Sequence, residues 1–236
     1  MDVVYPVRPG DSNEELRFSL RSLSNLIHGD VWIVGYKPSW VTNVEFIEGN
    51  LGPTGHANVY QNILLACRHP DVSENLIVMN DDFFITEPIS EIPDSYRSTL
   101  QQHLDLPKVR SARQSWWHKS LVTTQVCLSA VGYDDPLSYE LHVPMPVNKT
   151  LMRETLERFD QVAPANPPQW RTLYGALHIT DPVRLPDSKA FRAGAVGKPY
   201  HSTTDLSWPR YRTQFAALFP EPSAYEDARS LAKVRR

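Results

Sequence analysis

The chain contains 236 residues, with a formal net charge of -3 and a pI near 6.2. This length is sufficient to bury a full hydrophobic core and fits one large domain. The small negative charge provides no overall basic field, which argues against nucleic acid as the main partner. No apolar run has the length of a membrane span, and the chain opens on a strand-like segment in place of a signal peptide. We therefore expect a cytoplasmic protein without a membrane span.

The first 90 residues alternate between strand and helix patterns. Ser12 and Glu15 have the spacing of a helix capping box, and Leu16, Leu20 and Ile27 then recur at helical spacing. The pattern predicts a strand over residues 2–7, a helix over 14–27, a strand over 31–36, a helix over 58–68 and a strand that ends at Asn80. This order implies right-handed crossovers, and hence an α/β fold with a mostly parallel central sheet and helices on both faces.

Residues 76–84, LIVMNDDFF, form a short apolar run that is interrupted by Asn80, Asp81 and Asp82. An unbroken apolar run without a helical period predicts a strand that is buried on both faces. Two adjacent carboxylates at its end repel each other unless a cation lies between them, such as a divalent ion bound to a diphosphate. A turn that only caps the next element is the other interpretation. In parallel sheets, ligands bind at the carboxyl ends of the strands, where residues 8–11 and 80–82 both fall.

The pattern is looser beyond residue 86, where many of the 20 prolines lie. Long proline-rich connections in compact domains usually form lids or binding loops. One helix is clear, over residues 149–159, with Met152, Leu156 and Phe159 on its inner face. The prolines of HVPMP hold His142 in an extended segment. The last residues, 230–236, are expected to form a short solvated basic tail.

Four blocks of the chain resemble the Stealth proteins, which include bacterial capsule hexose-1-phosphate transferases and the lysosomal-enzyme GlcNAc-1-phosphotransferase. The matching segments, in the family's order, are DVVYPVRPGDS (2–12), then ELRFSLRSL (15–23) with VWIVGYKPSWV (31–41) and SENLIVMNDDFFI (73–85), then LHVPMPVNKTLMRETLERF (141–159), and finally LFPEPSAYED (218–227). The chain is much shorter than most members and is similar to the compact forms found in bacteriophages. The resemblance covers nearly the whole chain.

The resemblance implies a GT-A-like domain that binds a nucleotide-sugar and a divalent ion, Mg²⁺ or Mn²⁺. Asp81 and Asp82 match the metal-binding aspartates, with Asp82 also counted among the catalytic residues. His142 matches the family's catalytic base, and an imidazole with an ordinary pKa of ~6.5 is suited to accept a hydroxyl proton at neutral pH. Arg171 matches an arginine that contacts the phosphates, and Arg113 is a second candidate for that contact. The alternative for both arginines is a surface or ion-pair role.

The chain departs from the family in two places. The opening block lacks the family's carboxylate, and the cation Arg8 stands near its position as a candidate donor ligand. The family's AIE glutamate aligns with Ile63, so Asn62 beside it is the polar substitute that we assign to donor binding.

Two further residues are weaker candidates for binding the nucleotide-sugar. Arg17 lies close enough to the end of the first strand to contact a phosphate, although a solvated helix face is an equally simple interpretation. His201, in YHSTTD, falls in a polar block near the family's ligand, although a turn would have the same composition.

The sequence therefore predicts transfer of a sugar, or of a sugar 1-phosphate, from a nucleotide-sugar to an acceptor hydroxyl. We expect a single domain, with its nucleotide-binding half over roughly residues 1–90 and an acceptor or lid half over roughly 91–236. The acceptor is left open between a glycan, a protein and a modified DNA base. Two alternatives remain: a catalytically inactive protein that binds sugar-nucleotides, and a glycosyltransferase that acts on hydroxymethylated DNA bases. The cytoplasm would be that of the host cell if a phage encodes the chain.

Overall fold

The computed structural model describes residues 1–10, 12–49 and 52–227, so Asp11 and the basic tail lie outside the described residues. The strands are β1 (Asp2–Val7), β2 (Val31–Gly35), β3 (Glu45–Glu48), β4 (Asn75–Val78), β5 (Phe83–Ile85), β6 (Ser95–Tyr96), β7 (Ser98–Thr99), β8 (Leu137–Ser138), β9 (Met145–Asn148), β10 (Val183–Arg184) and β11 (Tyr200–Ser202). The helices are α1 (Glu14–Ser22), α2 (Gly55–Arg68), α3 (Leu100–Leu104), α4 (Pro107–Ser111), α5 (Trp116–Ser129), α6 (Lys149–Phe159), α7 (Trp170–His178) and α8 (Trp208–Leu218).

A five-stranded sheet in the order β3-β2-β1-β4-β9 forms the centre of the fold. The first four strands of this order are parallel, and β9 pairs with β4 in the antiparallel direction. All six residues of β1 are buried, as a strand in the middle of a covered parallel sheet requires. The prediction of a mostly parallel α/β sheet is confirmed.

Helices cover both faces of this sheet. Alternate side chains of β1, such as Val3 and Tyr5, pack with the apolar face of α1. Val4 points to the opposite face and packs with residues of α2, α6 and α7. The period of two along β1 therefore divides its side chains between two hydrophobic layers.

The structure corrects three local predictions. Helix α1 ends at Ser22 and a 3₁₀ turn follows, so Ile27 is 91% exposed and does not belong to the helix's apolar face. The capping box does not form, because Asn13 is the N-cap, with a positive φ of 45° and no side-chain cap bond. Helix α2 begins at Gly55, earlier than predicted, because the Thr54 side chain accepts a hydrogen bond from the Ala57 N–H and caps it.

The proline-rich half folds back onto the strand that follows the two aspartates. Strand β11 pairs with β5 in the antiparallel direction, with His201 opposite Phe84. The predicted helix over residues 149–159 is confirmed as α6. None of the helices in the described part of the chain is both long and apolar enough to cross a membrane.

Candidate functional site

The carboxyl edge of the central sheet brings Arg8, Asp81 and Asp82 into one neighbourhood, as the strand order predicts. Arg8 follows β1, and the two aspartates lie in the turn between β4 and β5, where the Phe83 N–H donates to the Asn80 carbonyl at 3.1 Å. The positive charge of Arg8 acts on the Asp81 carboxyl. The edge therefore collects charged groups of both signs at the place where parallel sheets bind ligands.

Three acidic side chains, Glu15, Asp81 and Asp82, form a carboxylate cluster at this edge. Burial, followed by the negative charges of Asp82 and Glu15, raises the pKa of Asp81. Burial also raises the pKa of Glu15 to about 7, although a hydrogen bond from the Thr203 hydroxyl opposes this rise. Because like charges in a partly desolvated site repel one another, the cluster favours a bound cation.

Two basic side chains stand beside the carboxylate cluster. The Lys189 ammonium donates to Asp82 Oδ2 at 2.5 Å, and only 12% of its side chain is exposed. Arg8 forms an exposed ion pair with Asp205 at 2.9 Å. Lys189 leaves the second oxygen, Asp82 Oδ1, buried and without a hydrogen-bond partner among the described residues.

Arg171, on α7, is a buried cation whose Nη2 atom has no hydrogen-bond partner within the described residues. Its guanidinium lies 5.2 Å from the ring centre of Phe83. Burial lowers the pKa of Arg171 to about 10, against the opposing effect of the negative charges of Glu140, Asp82 and Asp187. A buried donor of this kind has a high free-energy cost unless an anion binds to it.

His142 and Asp187 form a hydrogen-bonded pair beside Phe83. His142 Nδ1 and Asp187 Oδ1 are 2.8 Å apart, and the His142 backbone N–H donates to the same oxygen at 3.1 Å. The imidazole meets the Phe83 ring edge-on, with ring centres 6.0 Å apart. About a third of the His142 side chain is exposed, so the ring is held on one side and open on the other.

The residues at this edge fit a divalent ion that also binds a diphosphate. Asp82 Oδ1 and Asn80 Oδ1 are both buried acceptor atoms without a partner among the described residues. In the described part of the chain, no group of three or more His, Cys, Asp or Glu side chains is arranged to hold a metal by itself. Mg²⁺ is usually bound through one or two carboxylates together with the substrate's phosphates, so the oxygens present suit that mode of binding.

Two of the residues assigned to the donor have other recorded contacts. Asn62 is 1% exposed and donates its amide to the Val34 carbonyl at 3.2 Å. It fills the space beneath Gly49, where an added Cβ would approach Asn62 Oδ1 to 2.4 Å. Arg17 pairs with the buried Glu226 at 2.5 Å and stacks on Trp40 at 4.3 Å. These contacts support structural roles and give no support to donor binding by either residue.

Arg113 and His201 also lie apart from the carboxylate cluster in their recorded contacts. Arg113 is exposed in the loop between α4 and α5, where it lines a cleft of about 410 Å³ that contains no member of the cluster. His201 is buried in an aromatic cluster, with ring centres 4.5 Å from Tyr211 and 5.6 Å from Phe215. Burial lowers the pKa of His201 to about 4. His201 itself lies in β11, and the turn suggested for its segment begins only at Asp205.

Sequence reasoning missed three residues that complete the site: Glu15, Asp187 and Lys189. Glu15 was interpreted only as part of a capping box. Asp187 and Lys189 lie in the short sequence PDSK, which carries no motif, and their partners lie 45 and 107 residues earlier in the chain. Only the fold brings these pairs together.

Comparison with solved structures supports the fold. The chain aligns with the galactosyltransferase LgtC, whose crystal structure contains donor and acceptor sugar analogues, with a TM-score of 0.53 and 12% sequence identity. The alignment covers 95% of this chain and 98% of LgtC. At this identity the similarity establishes the GT-A type of fold and no more.

A second solved structure, apo mouse xyloside xylosyltransferase 1, aligns over 95% of this chain and 94% of its own, with 12% identity. Its TM-score of 0.37 is too low to support an argument. No protein-family model matches the chain, and no curated protein matches it.

Proposed function

We propose that this chain transfers a sugar, or a sugar 1-phosphate, from a nucleotide-sugar to an acceptor hydroxyl. One observation carries the proposal: among the described residues, buried groups of opposite polarity lack partners at the carboxyl edge of the sheet. Asp82 Oδ1 requires a cation or a donor, and Arg171 Nη2 requires an anion. The two side chains are near enough for the charge of Asp82 to act on Arg171. A metal-bound diphosphate would satisfy both groups.

His142 is the proposed general base. It would accept the acceptor's hydroxyl proton at Nε2 while Asp187 holds Nδ1. In glycosyl transfer, the acceptor oxygen bonds to the anomeric carbon and the bond from that carbon to the phosphate oxygen breaks, which releases a nucleoside diphosphate. In sugar-phosphate transfer, the oxygen bonds to the outer phosphorus and the bond between the two phosphates breaks, which releases a nucleoside monophosphate. Both reactions need the same base and the same cations.

Arg171 and Lys189 would bind the phosphate oxygens on which negative charge develops. Arg171 is the stronger candidate because its guanidinium is buried and incompletely paired. Asp81 and Asp82 would hold Mg²⁺ or Mn²⁺. A bound divalent ion would neutralise charge on the diphosphate. Arg8, at the carboxyl edge of the central sheet, is a further candidate for contact with the phosphates.

Three finer assignments belong to the same proposal. We assign the chain to the Stealth type, in a compact form similar to those of bacteriophages, because the four sequence blocks contain the aspartates and the base. We treat it as one catalytic domain, since β5 and β11 join the two halves. We place the reaction in the cytoplasm, which is the host's if a phage encodes the chain.

A catalytically inactive sugar-nucleotide-binding protein is the second candidate. The observation that favours it is the ion pair of Lys189 with Asp82, which already neutralises one of the two aspartates without a metal. Such a protein would bind a nucleotide-sugar and release no nucleotide.

The deciding experiment incubates the purified chain with a panel of nucleotide-sugars and Mg²⁺ or Mn²⁺. Separate reactions receive a glycan, a peptide or hydroxymethylated DNA as acceptor, and mass spectrometry identifies the nucleotide that is released. A nucleoside diphosphate would indicate glycosyl transfer, and a nucleoside monophosphate would indicate sugar-phosphate transfer. Titration calorimetry on the same panel separates the candidates, because binding without release supports the inactive protein. Absence of both binding and release would contradict both.

A further inference from the structure

Asp187 is held rigidly between two strands of the proline-rich half. It lies in the segment between β10 and β11. The Leu185 N–H donates to the Tyr96 carbonyl at 2.9 Å on one side of it. On the other side, the Ser202 N–H donates to the Ser188 carbonyl at 3.0 Å and the Ala190 N–H donates to the Ser202 carbonyl at 2.8 Å. The backbone that presents the carboxylate is therefore fixed at both ends.

Both carboxylate oxygens of Asp187 are engaged in charged or polar contacts. Oδ1 accepts from the backbone N–H of His142 and lies 2.8 Å from its Nδ1. Oδ2 accepts from Arg97 Nη1 at 2.8 Å. Only 15% of the Asp187 side chain is exposed, so these contacts are shielded from water.

This geometry determines how the imidazole of His142 carries its proton. An ionised carboxylate accepts hydrogen bonds only, so the ring nitrogen that faces it must carry hydrogen. The neutral imidazole is then the tautomer with hydrogen on Nδ1, and Nε2 keeps its lone pair. Within the described residues, Nε2 makes no hydrogen bond, and it is the atom free to accept a proton.

We propose that Asp187, braced by Arg97, is the positioning residue that fixes His142 with Nε2 available to the acceptor hydroxyl. The proposal rests on the function proposed above, in which His142 is the base. The carboxylate also stabilises the imidazolium that forms when the proton is transferred. Arg97 completes the chain of contacts, because it pairs with the oxygen of Asp187 that His142 leaves free.

The charges around the pair agree with an ionised Asp187. Burial acts to raise the pKa of Asp187, but the hydrogen bonds and charges of His142 and Arg97 outweigh it and hold the pKa below its usual range. The other charged or titratable groups that act on this pair come from four elements or segments: His103, Lys108, Glu140 and Arg171. Burial lowers the pKa of His103 to about 4, so it is neutral at the pH of the assay.

The first test needs no substrate. Long-range ¹⁵N NMR of the imidazole nitrogens in the free wild-type protein should show the Nδ1–H tautomer for His142. The His142 signals are assigned by their absence from the spectrum of His142→Gln. The Asp187→Asn protein should lose this preference, because the amide can donate as well as accept. A wild-type His142 in the Nε2–H tautomer would overturn the proposal, whatever the protein's activity.

The second test measures catalysis with the donor and acceptor found active. Asp187→Asn should lower kcat by roughly 10²- to 10⁴-fold, with donor affinity unchanged and with the acid limb of the rate profile moved to lower pH. Asp187→Glu should restore part of the rate, and Arg97→Met should cause a smaller loss. A matched control, Glu157→Gln, breaks the surface ion pair with Arg68 and should leave the rate unchanged.

The outcomes separate the two proposals. If Asp187→Asn keeps the wild-type kcat and pH profile, the positioning role is wrong even though the enzyme is active. If Asp187→Asn does not fold, the kcat of Arg97→Met and the His142 tautomer of the wild type still test the positioning role. If the wild type shows the Nδ1–H tautomer but releases no nucleotide from any donor, the proposed function fails while the geometry around His142 stands.

Discussion

The two halves of the chain supply different kinds of groups to the site and hold them in different ways. The first half supplies Asp81 and Asp82, which are set in place by the backbone after a parallel strand whose last three residues, 76–78, are buried. The proline-rich half supplies His142, Arg171 and Lys189, and His142 and Lys189 are positioned by contacts between side chains. Strand register therefore fixes the acidic groups, whereas individual ion pairs orient the base and the lysine.

This difference predicts how each half responds to substitution. A group at a strand end can change its chemistry without moving the backbone, because the strand's hydrogen bonds do not involve its side chain. A side chain that is oriented by one ion pair depends on its partner. A substitution at the partner therefore also changes the position of that side chain. Single substitutions in the first half should remove a ligand contact without moving the backbone, although a change at Asp82 also removes the partner of Lys189. Those in the second half should also disturb their neighbours.

The largest effect is expected from Asp82→Asn in the first half. The change is nearly isosteric and removes the charge that would face the proposed metal, so donor binding in the presence of Mn²⁺ should be abolished while the fold is kept. Calorimetry measures the binding, and thermal unfolding checks the fold. Asp71→Asn, at an exposed position in the turn that precedes the same strand, is the matched control and should bind normally. An Asp81→Asn/Asp82→Asn protein with full activity would remove the metal assignment.

His142→Ala in the second half should lower turnover by roughly 10²- to 10⁴-fold, which is the usual contribution of a positioned proton acceptor. Donor affinity should change little, because in the proposed function the imidazole faces the acceptor. Initial rates over a range of pH should show that the wild type's acid limb is absent from the variant. A variant that loses donor affinity at unchanged kcat would identify His142 as a phosphate ligand instead. His28→Ala, at a partly exposed site, serves as the control.

Arg171→Met should weaken donor binding by roughly 10- to 10²-fold, as expected for one hydrogen bond to a charged group. The free protein should lose little stability, because the guanidinium of Arg171 is buried and its Nη2 has no hydrogen-bond partner in the described part of the chain. The positive charge of Arg171 acts on the Glu140 carboxyl. The double variant Arg171→Met/Glu140→Gln removes both charges, so it should be at least as stable as the wild type. Urea unfolding of the free proteins tests this. A large stability loss in the double variant would mean that Arg171 is mainly a structural residue.

The sheet could be predicted from the sequence because its strands are short apolar runs with helices between them. Strand β3 was missed because its residues, EFIE, are mostly exposed at an edge of the sheet and lack an apolar run. Helix α5 was missed as well, and its polar and apolar residues show little helical segregation along WWHKSLVTTQVCLS. Pattern-based reasoning detects elements that bury one face and is weak for those that do not.

The candidate site was predictable only in part, for a related reason. Asp81, Asp82 and His142 lie in short blocks that resemble a family, and Arg171 was matched to a family arginine through the segment WRTLYG, outside those blocks. Asp187 and Lys189 carry no such local signal, because their roles arise from pairs that are far apart in the chain. Arg17 illustrates the converse case: its proximity to a strand end suggested a phosphate contact, and the fold pairs its guanidinium with Glu226 from the far end of the chain.

The smallest effect is expected from Glu15→Gln, which changes stability and its dependence on pH. Because the folded state raises the pKa of Glu15 from 4.5 to about 7, it binds this proton more tightly than the unfolded chain does. The contribution to stability is therefore fully present below pH 4.5 and is lost as the pH rises to 7. Glutamine cannot ionise. Over this pH range, the free energy of unfolding of the variant should therefore rise relative to that of the wild type by at most about 3 kcal/mol, reduced by any solvent screening.

Urea unfolding of the metal-free proteins at pH 5 and pH 7.5 measures this gain. The control, Glu14→Gln, removes an adjacent carboxylate that pairs with Arg212 and Trp208 away from the cluster, and it should show no gain at the higher pH. A Glu15→Gln advantage that is equal at the two pH values would mean that Glu15 ionises in the folded protein as it does in the unfolded chain. That result would remove Glu15 from the proposed group of mutually repelling carboxylates and leave Asp81 and Asp82 as the proposed metal ligands.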